Sequence, residues 1–174
     1  MEPLYILKST PLGSLIKTEP LEEEPPMPKA YNPGCLEPEL VSLNGKQVLA
    51  VDDNADSLDL LAFILEESGG KVIKALGAVE ALEIIKHVKV DLLVSDIIMP
   101  KVDGYELLNR IRSLSPQQGG LMPAVALTAH ATKEARTLAL QSGFQDFLTK
   151  PLEPELLVAV VAKLTRGNVS TRLG

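Results

Sequence analysis

The chain has 174 residues, room for one domain of ordinary size with an appendage and too little for two full domains. Hydrophobic residues at 45% and charged residues at 23% exclude a wholly disordered or fibrous protein, while three Phe, three Tyr and no Trp argue against stacking platforms for single-stranded nucleic acid. A net charge of −6 disfavours a direct nucleic-acid surface, and one cysteine, Cys35, supports neither an intramolecular disulfide nor a Cys-rich zinc site, so the chain reads as cytoplasmic.

Eight of the 13 prolines precede residue 46, together with the run Glu22, Glu23, Glu24. Each proline removes an N–H donor and restricts its predecessor, so residues 1–45 are expected to be a mostly irregular, acidic tail or linker. Short apolar stretches such as Leu12–Ile16 offer a docking alternative to a plain tether. Glu2, Pro3 and Pro11 suit neither a signal-peptide n-region nor an unbroken h-region. No segment reaches the roughly 18 apolar residues that span a bilayer, so no membrane insertion is expected.

From Lys46 onward short apolar runs alternate with amphipathic segments, the pattern of βαβ units. Residues 47–51 read as a buried strand ending at Asp52, and 56–68 as a helix with Leu58, Leu61, Ala62 and Leu65 on one stripe, stopped by Gly69-Gly70. A short strand at 71–75 precedes a helix at 79–88, whose opening Gly77-Ala78 lacks a capping side chain. Strand 90–95 ends at Asp96, helix 105–113 turns Leu108 and Ile111 inward, and strand 124–127 ends at Thr128. Helix 133–142 stops at Gly143, strand 146–149 ends at Lys150-Pro151, and a last helix with Pro154 in its first turn buries Leu157, Val160, Val161 and Leu164. Five βα repeats predict an α/β domain over 46–165, a doubly wound five-stranded parallel sheet with five helices, and a C-terminal tail over 166–174.

In such sheets ligands sit beyond the carboxyl ends of the strands. Asp52 and Asp53, Asp96, Thr128 and Lys150 all fall at such ends. Unit charges about 4 Å apart repel by roughly 4 kcal/mol at an effective dielectric near 20, so three clustered carboxylates need an offset. A raised pKa, a lysine or a hard dication would serve. Lys150 alone falls short by two charges, and Mg²⁺, which takes oxygen ligands and keeps several waters, is the natural partner. An isolated Asp-Asp pair would read equally as a turn and capping device.

The blocks Val51-Asp52-Asp53-Asn54, Ser95 to Gly104, Ala126-Leu127-Thr128-Ala129 and Lys150-Pro151 resemble the receiver domain of two-component response regulators. The spacings from Asp53 to Asp96, on to Thr128 and on to Lys150 are 43, 32 and 22 residues, in the order and register of that family. The resemblance implies a flavodoxin-like strand order 2-1-3-4-5. It implies that Asp96 accepts a phosphoryl group, Asp53 ligates Mg²⁺ directly and Asp52 through a water, and the Ile98 backbone carbonyl completes the protein's ligands. Lys150 would neutralise phosphoryl oxygens, Thr128 would hydrogen-bond the transferred group, Phe147 stands at the family's switch aromatic and Pro151 at its cis peptide. Implied partners are a histidine kinase or histidine phosphotransfer protein and a downstream protein effector, with a phosphorylation-dependent homodimer in keeping with the family.

Ile98 offers no group to orient an attacking water, so a long-lived phosphorylated state is expected. His130 reads as a loop residue and His87 as a helix C-terminal cation, neither with a catalytic role. The first reading is a bacterial signalling switch that catalyses only its own phosphorylation and dephosphorylation. The alternative is the receiver portion of a hybrid sensor kinase that relays phosphate to a histidine phosphotransfer protein. A nucleotide- or flavin-binding protein of the same topology is weakened by the lack of a Gly-rich phosphate loop after the first strand.

Overall fold

The computed structural model describes residues 41–166. Of the expected tails at 1–45 and 166–174, residues 1–40 and 167–174 lie outside the described residues. Five parallel strands, β1 (Gln47–Val51), β2 (Lys71–Ala75), β3 (Leu92–Asp96), β4 (Ala124–Thr128) and β5 (Asp146–Thr149), form one sheet in the order β2-β1-β3-β4-β5. The helices are α1 (Ala55–Glu67), α2 (Ala78–His87), α3 (Gly104–Arg112), α4 (Lys133–Gln141) and α5 (Pro154–Arg166), with a short 3₁₀ turn at Pro116–Gln118. Strand alternation sends Val48 and Ala50 into one core with Leu61, Leu65 and Leu157, and Leu49 and Val51 into the other with Ile85, Leu107 and Ile111. Both are built almost wholly from aliphatic side chains, as the composition requires.

The helix starts follow from local chemistry. Asn54 accepts from the Ser57 N–H (3.0 Å), Asp103 from Glu106 (2.8 Å) and Thr132 from Ala135 (3.1 Å), each capping orphan donors. Helix α2 begins at Gly77 without a side-chain cap, and the Glu80 carboxylate instead accepts the Leu76 N–H at 2.7 Å. Strand β3 begins two residues later than its apolar run suggests. The Asp91 carboxylate takes the Gln47 N–H (2.9 Å), so the ladder opens at Leu92 although Val90 is buried. Leu43 lies ahead of residue 46 and is buried, with its N–H on the Ser68 carbonyl, and Leu164 is half-buried.

Arg112 fastens three segments beside the start of β4. Its guanidinium donates to the carbonyls of Gly120 (3.1 Å), Met122 (2.8 Å) and Gly143 (3.1 Å), and burial holds its pKa below the ordinary value. The guanidinium reaches them from two separate nitrogens held in one plane, whereas a lysine ammonium offers its donors from a single atom. Arg112→Met is expected to cost about 2 kcal/mol in urea unfolding, with Arg112→Lys recovering less than half of that. Equal stability of both variants and the parent would show the three carbonyls to be satisfied by water instead.

Candidate functional site

All five parallel strands end at one edge of the sheet, and residues at or just past the ends of β1, β3, β4 and β5 supply the polar groups there. Val51 stands opposite Ser95 in the β1–β3 register, so the next residues, Asp52 and Asp96, leave their strands side by side. One carboxylate oxygen from each of Asp52, Asp53 and Asp96 lies within 4.8 Å of the others. Asp52 and Asp96 are buried and Asp53 is exposed. At such separations each pair of charges repels by about 3.5 kcal/mol or more at an effective dielectric near 20.

Lys150 enters from the end of β5, its N–H bonded to the Thr128 carbonyl at 2.7 Å. Its Nζ lies 2.7 Å from Asp52 Oδ2 and 3.2 Å from Asp96 Oδ1. Burial works against the ammonium, but the hydrogen bond from Lys150 to Asp52 and the charges of Asp96 and Asp52 hold its pKa above the ordinary lysine value. Asp96 is pushed above the usual carboxylate range, chiefly by burial, with Lys150 opposing and Asp52 and Asp53 adding to the rise. The lysine is therefore fixed as a cation between two strands, and the Asp96 carboxylate is poorly solvated and weakly compensated.

Three carboxylates against one ammonium leave an excess of negative charge, and every donor in the cluster is a hard oxygen. That donor set fits an oxygen-seeking divalent cation such as Mg²⁺, which Asp52, Asp53 and Asp96 could hold. Thr128 is buried at the end of β4, and its Oγ1 accepts the His130 N–H at 3.1 Å. Ile98 is exposed just past the β3 end, and the Lys150-Pro151 peptide is cis. Phe147 is half-buried and lines a cavity of about 310 Å³ with Arg136 and Leu156. His87, with Nε2 3.1 Å from Glu83, lies at the far end of α2, away from this edge.

Two positioning residues have no assigned part in the sequence reading. Asn54 caps α1 and also donates its N–H to Asp52 Oδ1 (2.9 Å), aiming that carboxylate. An Asx residue between a strand end and an amphipathic helix is the signal that could have found it. Gly104 donates to the Ile97 carbonyl at 2.8 Å and presses on the strand that carries Asp96. A Cβ there would lie 2.4 Å from the Asp96 carbonyl oxygen and 2.9 Å from Ile97 Cα.

A family model described as the response regulator receiver domain matches residues 48–162. An uncharacterized 14.6 kDa protein of Leptolyngbya boryana is 48% identical over 114 residues, 66% of this chain and 86% of that protein. The sensor histidine kinase GacS of Pseudomonas protegens is 40% identical over 128 residues, 73% of this chain but 14% of the kinase. The receiver domain of sensor histidine kinase PA1611 from Pseudomonas aeruginosa, described with a magnesium ion coordinated in its active site cleft, superposes with a TM-score of 0.64. It is 27% identical, covering 70% of this chain and 98% of that domain.

Both close contacts of a Gly104 side chain are with backbone, which cannot swing aside. Gly104→Ala is expected to lower stability by about 1–3 kcal/mol in denaturant unfolding. An unchanged midpoint would mean that the loop after β3 gives way at no cost.

Proposed function

The chain belongs to the response regulator receiver domain family of two-component signalling, and from that premise we propose that Asp96 is its phosphoryl acceptor. The observation that carries this reading is the convergence of Asp52, Asp53 and Asp96 with Lys150 at one sheet edge. An Asp96 carboxylate oxygen attacks the phosphorus of a phosphohistidine on a partner kinase or phosphotransfer protein. The P–N bond breaks, an acyl phosphate P–O bond forms, and the departing imidazole takes up a proton. Little covalent work falls to the protein, so the step depends on positioning and on charge neutralisation.

Asp53 would hold Mg²⁺ directly and Asp52 through a water, and the Ile98 carbonyl and Asp96 would complete the protein's ligands. When bound, the ion supplies positive charge to the transferring phosphoryl oxygens. Lys150, already poised between two carboxylates, provides a second positive charge to those oxygens. The Thr128 hydroxyl donates to the phosphoryl group once formed, and the space it leaves is filled by Phe147, which alters the surface of α4 and β5. Downstream protein contacts then read that surface, and the chain acts on no other substrate.

A second reading has support in the similarity to a segment of a sensor histidine kinase. In it the same acyl phosphate is passed on to a histidine phosphotransfer protein.

Incubation with acetyl phosphate and Mg²⁺, followed by intact mass, is expected to show one added phosphoryl group. It should vanish in Asp96→Asn and in the presence of a chelator. An unmodified parent chain, or equal modification of the variant, would sink the assignment. Mixing the phosphorylated protein with a histidine phosphotransfer domain separates the two readings, since only the relay passes the phosphoryl group on within minutes.

Ile98 presents an aliphatic, exposed side chain beside the acceptor. It cannot orient a hydrolytic water, so Ile98→Asn is expected to speed loss of the phosphoryl group by about tenfold, within the range that one water-positioning side chain supplies. Equal decay of variant and parent would show that this residue does not set the lifetime.

A further inference from the structure

A cavity of about 720 Å³ opens at the edge of the sheet opposite the acidic cluster. Its walls come from Lys46 ahead of β1, the C-terminal end of α2, the α2–β3 connection and the residues leading into β4. Strands of five residues rising about 3.3 Å each separate it from Asp96 by roughly 15 Å, so it is no part of the acceptor site.

The floor is apolar. Ile85, Val90 and Met122 are buried beneath it, while Leu121 stands on the rim at 75% exposure. Gly119 borders this floor, its α-carbon beside Ile85 and Met122, and its φ of +95° is a backbone conformation that glycine adopts readily and other residues rarely. The remaining rim carries the cations Lys46, Lys86 and Lys89, with His87 beside them, in a chain of net charge −6. Among the described residues no carboxylate lies within ion-pair distance of Lys46 or Lys89. Lys86 pairs only with exposed Glu83, an interaction that water and salt weaken and a ligand can displace. The one acid in the walls, Asp91, is engaged by the Gln47 N–H.

These features select the ligand class. A nucleotide lacks a large stacking platform, because no Phe, Tyr or Trp lines the walls. A compact phosphate lacks an α-helix N-terminus, because α2 presents its carbonyl end here, whose partial negative charge repels a concentrated anion. Carboxylates spaced along a chain avoid that end and meet the lysines at the tips of their stems. An apolar residue between them fits the floor.

We propose that this groove docks an acidic peptide segment of a partner protein, with an apolar anchor on Ile85, Val90 and Met122 and its carboxylates paired with Lys46, Lys86 and Lys89. The site is remote from Asp96 and serves recognition, whatever the acceptor chemistry.

The test is fluorescence anisotropy on the full chain with a labelled synthetic peptide of Glu residues flanking a central Leu. Saturable binding is expected, weakened about tenfold or more in Lys46→Glu/Lys89→Glu and by raised salt. Leu121→Asp, or a peptide of Glu alone, should weaken it too. All three substituted side chains lie on the surface or rim, and circular dichroism checks that the fold is kept. Absence of saturable binding, or equal binding by the charge-reversed variant, would overturn the proposal. So would sedimentation showing a dimer of the parent chain that the same variant dissolves, which would make a second copy the occupant.

Discussion

Lys150 is the interaction on which the acceptor edge depends. It sits at the end of β5, yet its ammonium bonds a carboxylate at the end of β1 and lies 3.2 Å from another at the end of β3. The pair Lys150 and Asp52 is separated by 98 residues, and only the strand order brings it together. Taking two carboxylates into a poorly hydrated cleft is costly, and a single ammonium offsets part of that cost. What remains uncompensated is concentrated on Asp96, whose pKa burial has raised. The cleft is thus unstable enough in charge to favour further positive partners and dry enough to make them effective.

The sheet separates this chemistry from its mechanical support. Apolar residues within the strands are divided between two aliphatic cores, one on each face of the sheet. The buried acids and the lysine of the acceptor site lie at strand ends, where the backbone is released from the ladder and side chains can converge. At one end the converging groups are acids around a lysine. At the other they are lysines around an apolar floor, and the opposite sign of the two edges follows from which residues flank each strand.

Most of the architecture could be read from the chain itself because the apolar runs are short, continuous and evenly spaced. The fivefold alternation and parallel sheet follow from residues such as Leu92, Leu93 and Val94, all fully buried. Boundaries were less legible where a side chain substitutes for backbone, as Asp91 does for Gln47 at the start of β3. The acidic cluster was visible because its members sit at strand ends, and the structure brings Asp52, Asp53, Asp96 and Lys150 into reach of one another. The parts of Asn54 and Gly104 were not, since they act through backbone hydrogen bonds and close approach, which residue type alone does not report. Arg112 was equally hidden, because its three carbonyl partners lie on turns whose approach only the folded chain defines.

Helix α4 buries one side chain, Ala139, whereas α1 buries five and α5 six. Its far end is tied down, because Gly143 beyond it is held by Arg112 and the neighbouring Phe144 is in the core. The near end starts at Thr132, four residues past Thr128, on exposed loop residues. A helix anchored at one end and lightly seated along its length behaves as a lever. Its pivot lies at the tied end, so small displacements of the loop after β4 swing the first turn, with exposed Lys133, Glu134 and Arg136, more than the last, at little cost in lost burial.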